Sequence, residues 1–268
     1  MAARLDGKIA IVTGASRGLG QYCAVQYARE GAKVIVAART EQERDPRLPG
    51  TIHDTVRMIE EEGGEAFAAV CNVGDVESIQ GMVDTVLAKY GRIDILMNNA
   101  AVQPPGYINT IQPRHWELEF KINVHGPFHC SRAVLPAMVE QKSGNIINIS
   151  SVAADRGLSH YGATKLAIEA MTRGLANDMK DDGIVVNALK PVGGIDTPGI
   201  RFGRAPGQVG GSTPHNKMPP PDSYVEAATL LAMQTVDSCT GGVFNDVEAV
   251  ERFADEATKT RLAAVEPV

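Results

Sequence analysis

The feature that most constrains this chain is a rhythm of short Val- and Ile-rich runs separated by longer stretches with apolar residues near a 3.6-residue spacing. Ile9 to Thr13 (IAIVT), Val34 to Ala37, Glu65 to Cys71, Ile93 to Met97, Asn145 to Ile149 and Ile184 to Leu189 read as six strands. A first helix runs to about Glu30, and helical periodicity fills Val56 to Glu62, Ile79 to Tyr90 and Leu166 to Met179. Strands this short and this apolar suit a parallel sheet covered on both faces. Alternating β and α units therefore predict an α/β, doubly wound sheet with right-handed crossovers.

Two segments break the rhythm: the charged connection Thr40 to Gly50, and Gly199 to Asp222, dense in Gly and Pro. A loop as long as the second inside a compact domain is either disordered or functional, for instance a lid that closes over substrate. No break divides the chain, so 268 residues are expected to form one domain, ending in a charged tail over 245–268.

The first strand runs into Thr13-Gly14-Ala15-Ser16-Arg17-Gly18-Leu19-Gly20. Glycines there permit a tight turn and close approach of backbone to a pyrophosphate at the positive end of the following helix. The second strand ends Ala37-Ala38-Arg39, with no carboxylate before Glu41. An acidic side chain at that place would bind the ribose 2′-hydroxyl of NAD(H). Arg39 instead offers a planar fork for a 2′-phosphate, with Arg17 as a second positive charge, so NADP(H) is expected over NAD(H).

Tyr161-Gly162-Ala163-Thr164-Lys165 places a phenol and an ammonium on one helical face. Bringing a tyrosine from its usual pKa near 10 to neutrality needs about 4 kcal/mol of phenolate stabilisation. A lysine charge at about 5 Å offers about 3 kcal/mol at an effective dielectric near 20. Ser150-Ser151 and Asn98-Asn99-Ala100 follow the fifth and fourth strands, at the end where α/β sheets bind ligands.

The glycine turn, Asn-Asn-Ala, Asn123 in Lys121-Ile122-Asn123-Val124, Ser-Ser and YxxxK stand in the order of the short-chain dehydrogenase/reductase family, and the chain resembles that family from about Gly7 to Thr197. The resemblance implies a Rossmann-like fold and a tetrad of Asn123, Ser151, Tyr161 and Lys165. Tyr161 would be the general acid in carbonyl reduction and the base in alcohol oxidation. Lys165 would lower its pKa and hold nicotinamide-ribose hydroxyls, Ser151 would bond the substrate oxygen, and Asn123 would hold a relay water. Cofactor contacts would come from Gly14, Ser16, Arg17, Gly18, Leu19, Gly20, Arg39, Asn72, Val73, Asn99, Ala100, Pro191, Ile195 and Thr197. Asn99 would reach the adenosine-side ribose and Thr197 the carboxamide.

The chain departs from the family in places. The Ser151–Tyr161 loop is about three residues shorter than usual, which leaves Ser150 in contention for the Ser151 role. Asn72-Val73 replaces the common Asp-Val, and the usual Pro-Gly start after the sixth strand becomes Pro191-Val192-Gly193-Gly194. Thr240 to Asp246 replaces a motif that often precedes a tetramer contact, so homodimer and homotetramer both stay open. His160 adjoins Tyr161 and either lines the pocket or points to solvent. Trp116 and Phe120, four apart, read as packing residues.

Composition excludes other classes. Hydrophobic residues at 44% and charged ones at 22% suit a soluble globular domain, and a net charge of -6 without basic clusters disfavours nucleic acid. Four dispersed cysteines read as free thiols in a reducing cytoplasm, not as a metal site or disulfide framework. Met1 to Lys8 lacks a signal-like apolar core, and no run nears the roughly 20 residues of a membrane span. The expected activity is carbonyl–alcohol interconversion on a small molecule. A silent NADP(H) sensor, or dehydratase or epimerase chemistry on the same fold, are the alternatives.

Overall fold

A computed structural model describes residues 3–43, 45–157, 159–203 and 218–265. Its seven parallel strands run in the order β3-β2-β1-β4-β5-β6-β7. They are β1 (Ile9–Thr13), β2 (Lys33–Ala38), β3 (Glu65–Val70), β4 (Ile95–Asn98), β5 (Gly144–Ile149), β6 (Ile184–Lys190) and β7 (Val243–Asn245). The first six match the sequence expectation within two residues. The three residues of β7 are too few to display a period, so only their pairing with β6 reveals them.

Period-two geometry divides each central strand between two cores. Ala10 and Val12 of β1 enter one, with Val34 and Val36 of β2 and Met97 of β4. Ile9 and Ile11 enter the other, with Ile35, Leu96 and Ile146. Because both faces are covered, β1 is buried throughout and reads as a continuous apolar run.

The first core is closed by α1 (Gly18–Arg29), α2 (Ile52–Glu61), α8 (Asp222–Ala232) and α9 (Asp246–Phe253), through residues such as Tyr27, Ile59, Leu231 and Val250. The second is closed by α3 (Val76–Tyr90), α5 (Gly126–Gln141) and α6 (Ser159–Met179), through Val83, Val134 and Ala176. Between α3 and α5 lie α4 (Pro113–Phe120) and a π-helical turn over Lys121–His125. Trp116 and Phe120 pack on each other, ring centroids 4.6 Å apart.

The expected lid falls mostly outside the described residues. Only α7 (Pro198–Gly203) and the approach to α8, where Met218 is buried, belong to them. The C-terminal segment is ordered into α9 and α10 (Glu256–Ala263). A Thr-like capping box of Asn245 and Glu248 starts α9, and Phe253 meets Phe244 edge to face at 5.4 Å. No helix among the described residues is long and apolar enough to cross a membrane. All four cysteines are buried free thiols.

Glu226 on α8, its side chain 2% exposed, ties three separate segments together. Arg4 and Arg261 of α10 both donate to it, the latter at 2.9 Å, and Arg4 also bonds Glu30 at the end of α1. Replacing Glu226 by Ala strands part of that charge, and we expect a loss of about 2 kcal/mol. Urea unfolding measures it, and an unchanged midpoint would refute the assignment.

Candidate functional site

The strand order reverses beside β1: the chain steps outward to β2 and β3, then crosses back to β4 on the other side. The carboxyl ends of β1 and β4 therefore diverge into a crevice, the usual ligand position in such sheets. One hydroxyl pins the crevice floor. Thr13 Oγ1 accepts from the main-chain N–H groups of Asn99 (3.0 Å) and Ala100 (3.1 Å) and donates to Met97 O (3.2 Å).

Asn99 completes the clamp. Its Nδ2 donates to Thr13 O at 2.8 Å and Gly14 O at 3.3 Å. The amide donor of Asn99, a residue expected beside the adenosine-side ribose, thus braces the glycine turn. The same closeness explains two glycines. A Cβ on Gly14, which has φ +66°, would lie 2.8 Å from Ala100 Cα, and one on Gly20 would lie 2.6 Å from Gly14 O.

The turn delivers an open helix end. Arg17 caps α1 without a side-chain hydrogen bond, and no acidic residue occupies the first turn. The main-chain N–H groups at Gly18, Leu19 and Gly20 and the helix dipole are therefore available to an anion. Ser16 is buried beneath them. Thr197 comes close to Gly18 from the far side, its Cβ 3.4 Å from where a Gly18 Cβ would stand.

The two arginines expected to act together do different things. Arg17 donates through Nε to Pro49 O (2.9 Å) and through Nη2 to Gly50 O (2.7 Å), anchoring the 40–50 connection on the glycine turn. Burial lowers its pKa, Glu43 partly restores it, and the like charge of Arg39 lowers it again. Arg39 is exposed at the end of β2 and shows no hydrogen bond or ion pair within the described residues.

Beyond β3, Asn72 accepts from Gly74 N–H through Oδ1 (3.1 Å), leaving its amide nitrogen for a base edge, while Val73 packs under Gly126. Beyond β6, Pro191 is half-buried and Ile195 and Thr197 are buried. Thr197 Oγ1 accepts from Ile200 N–H at 3.3 Å.

Helix α6 carries the reactive pair to the carboxyl end of β5. Lys165 Nζ donates to Ile149 O, the last residue of β5, at 2.8 Å and stands 5.4 Å from the centre of the Tyr161 ring. The expected separation is thus present. Burial pushes the phenol above its ordinary value, and the negative charge of Glu119 pushes it further. Burial likewise brings Lys165 down to about 8, against an upward pull from Glu119. On the phenol, desolvation is the larger of the two pushes.

The two serines separate cleanly. Ser150 Oγ is buried and donates to Glu169 Oε1 at 2.7 Å, an oxygen that also takes Lys190 Nζ at 3.3 Å. Ser151 is half-buried and its Oγ accepts only from Ala153 N–H, at 3.2 Å. Its own proton remains free for a ligand oxygen. Asn123, in the π-helical turn, uses its whole side-chain amide. Oδ1 accepts from Val102 N–H (2.8 Å), and Nδ2 donates to Val102 O (2.8 Å) and Thr164 Oγ1 (3.2 Å). The side chain clamps the loop after β4 to α6.

Beside the reactive pair lie Glu119, which sequence reasoning left aside, and His160, whose orientation it left open. His160 is buried: Nδ1 meets Glu119 Oε2 at 2.9 Å and Nε2 meets Gly106 O at 2.9 Å. Glu119 has no exposed surface. Its signal in the sequence was its spacing, three residues after Trp116 and four before Asn123, and it is the single buried residue of α4. Among the described residues no three His, Cys, Asp or Glu side chains gather as a metal site.

The family profile described as short chain dehydrogenase matches residues 8–203. A 3-oxoacyl-[acyl-carrier-protein] reductase of Thermotoga maritima is 33% identical over 198 residues, 73% of this chain and 77% of that protein. A gluconate 5-dehydrogenase from Burkholderia cenocepacia, solved with NADP and tartrate, superposes with a TM-score of 0.78 at 27% identity, covering 91% of this chain and 95% of that one. A metagenomic short-chain oxidoreductase solved with NADP gives 0.73 at 29% identity, covering 90% and 98%.

The clamp at the crevice predicts an inversion of the usual rule that isosteric changes are mild. Asn99→Asp turns a carboxylate onto two carbonyl oxygens, so it should lower the melting temperature more than Asn99→Ala does. The opposite order in a thermal scan would show that Asn99 does not brace the turn.

Proposed function

The chain belongs to the short chain dehydrogenase family, and from that premise we propose that it is an NADP(H)-dependent oxidoreductase interconverting a ketone or aldehyde and an alcohol. The observation that carries the reading is the meeting of Tyr161 and Lys165 with the open end of α1 across one crevice. The bound cofactor would supply the hydride, and the protein supplies position and the proton. Gly14, Ser16, Arg17, Gly18, Leu19 and Gly20 fit the pyrophosphate. The free guanidinium of Arg39 fits a 2′-phosphate, and the NADP found in two similar structures supports the same choice.

In reduction, Tyr161 gives its proton to the carbonyl oxygen, and Ser151 donates a hydrogen bond to the same atom. A phenol that burial keeps protonated is the correct form for that direction. Lys165, with one hydrogen bond to Ile149 O, retains donors for ribose hydroxyls. Asn123 positions rather than reacts. The likeness to the acyl-carrier-protein reductase favours an acyl thioester ketone among small, partly apolar substrates.

A second copy of the chain fits the face of α5 and α6. Phe128 and Leu166 are exposed there, 46% and 51%, and a groove of about 340 Å³ is flanked by Arg132 and Asp178. Two-fold pairing would set each arginine against the partner's aspartate. Four buried free thiols suit the reducing cytoplasm.

Purified protein should oxidise NADPH with a panel of ketones and 3-oxoacyl thioesters, and Tyr161→Phe should abolish turnover while NADPH still binds. Wild-type protein that binds NADPH yet reduces nothing would favour a sensing role. Arg39→Asp should move the ratio of kcat/KM for NADPH over NADH toward NADH by about tenfold or more, the loss of about 1.4 kcal/mol or more. An unchanged ratio would contradict the assignment of Arg39.

A further inference from the structure

We infer that residues 45–50 form a strap over the glycine turn, latched by Arg17, and that this strap sets the affinity for a dinucleotide whether or not a 2′-phosphate is present. The binding half rests on the NADP(H) reading and deepens it, by making Arg17 a positioning residue and leaving Arg39 to read the phosphate.

The strap and the start of α2 meet the glycine turn at Ala15, Ser16 and Arg17. Arg17 Nε donates to Pro49 O at 2.9 Å and Nη2 to Gly50 O at 2.7 Å. These nitrogens form one edge of the planar guanidinium, an edge that could otherwise take two oxygens of a phosphate. Carbonyl oxygens fill it here. Gly50, at φ +103°, rests on Ser16: a Cβ there would stand 2.6 Å from Ser16 O. Thr55, fully buried on α2, donates through Oγ1 to Ala15 O at 2.8 Å and accepts from Gln21 Nε2 of α1 at 3.0 Å.

The segment is ordered from within as well. Leu48 N–H donates to Asp45 O and Ile52 N–H to Thr40 O, both at 2.9 Å. A capping box of Thr51 and Asp54 starts α2 directly after Gly50. Pro46 and Pro49 have fixed φ, so holding the carbonyls toward the guanidinium loses little chain entropy.

Peptide geometry carries the strap's effect to the dinucleotide site. The C=O and N–H of a trans peptide point opposite ways. The bond from Thr55 to Ala15 O therefore turns the Ser16 N–H away from α2, and the latch fixes Arg17, the residue that precedes the open end of α1. Those main-chain groups are the ones that fit a pyrophosphate, which NADPH and NADH share. Loosening the strap should weaken both dinucleotides alike, whereas a change at Arg39 should separate them.

Titrating the full-length protein with NADPH and with NADH tests this. Arg17→Lys keeps the positive charge but ends in one nitrogen, which cannot reproduce the two-point bond. It should weaken both dinucleotides by about fivefold, the scale of one hydrogen bond lost, and leave their ratio in place. Gly50→Ala, which lifts the strap with Arg17 intact, should do the same. A loss confined to NADPH would make Arg17 a phosphate ligand and overturn the inference. Affinities that neither variant moves would also overturn it, since a residue that only stabilises the fold leaves binding by the folded protein unchanged. Hydrogen exchange without ligand reads the latch itself: the Leu48 and Ile52 amides should exchange faster in Arg17→Lys than in wild type, and equal rates would refute the latch. If wild type binds neither dinucleotide, the cofactor reading fails and the affinity claim falls with it, while the exchange rates still decide the latch.

Discussion

The site depends on how β1 and β4 are held where the strand order reverses. Two parallel strands whose connections leave in opposite directions expose main-chain groups at their carboxyl ends, and something must hold those groups apart without filling the gap. Thr13 and Asn99 do so with one hydroxyl and one amide, bonding the two strand ends to each other through five contacts. The glycine turn can then pass close over Ala100, and α1 begins with its first N–H groups uncapped and facing the crevice. A side-chain cap or an acid in that first turn would satisfy those groups internally and repel an anion.

On the opposite wall the controlling quantity is burial. Tyr161 and Lys165 meet at a distance where the ammonium favours phenolate, yet desolvation pushes the phenol up and the lysine down. Burial therefore favours the protonated phenol. Beside Tyr161, His160 meets Glu119, a carboxyl with no exposed surface.

Much of this was legible in the residues. Six strands announced themselves as short apolar runs, five of them because both faces are buried, and the glycine turn and the YxxxK spacing are local patterns that follow chain order. What escaped is what depends on partners far apart in sequence. Nothing local says that Asn99 faces inward to Thr13 and Gly14, that Arg17 is engaged by Pro49 and Gly50, or that Ser150 rather than Ser151 is taken by Glu169. His160 was ambiguous for the same reason, since its orientation is decided by Glu119, 41 residues earlier. The separation of Tyr161 and Lys165 can be read from helical spacing, whereas the degree of burial that pushes the phenol up cannot.

The most direct test follows an atom. NADPH carrying deuterium at the transferable C4 position, incubated with the protein and a ketone substrate, should yield an alcohol with one deuterium on its carbinol carbon, seen by mass spectrometry and NMR. An alcohol with no deuterium there, or cofactor whose label remains in place throughout, would contradict hydride transfer in this crevice.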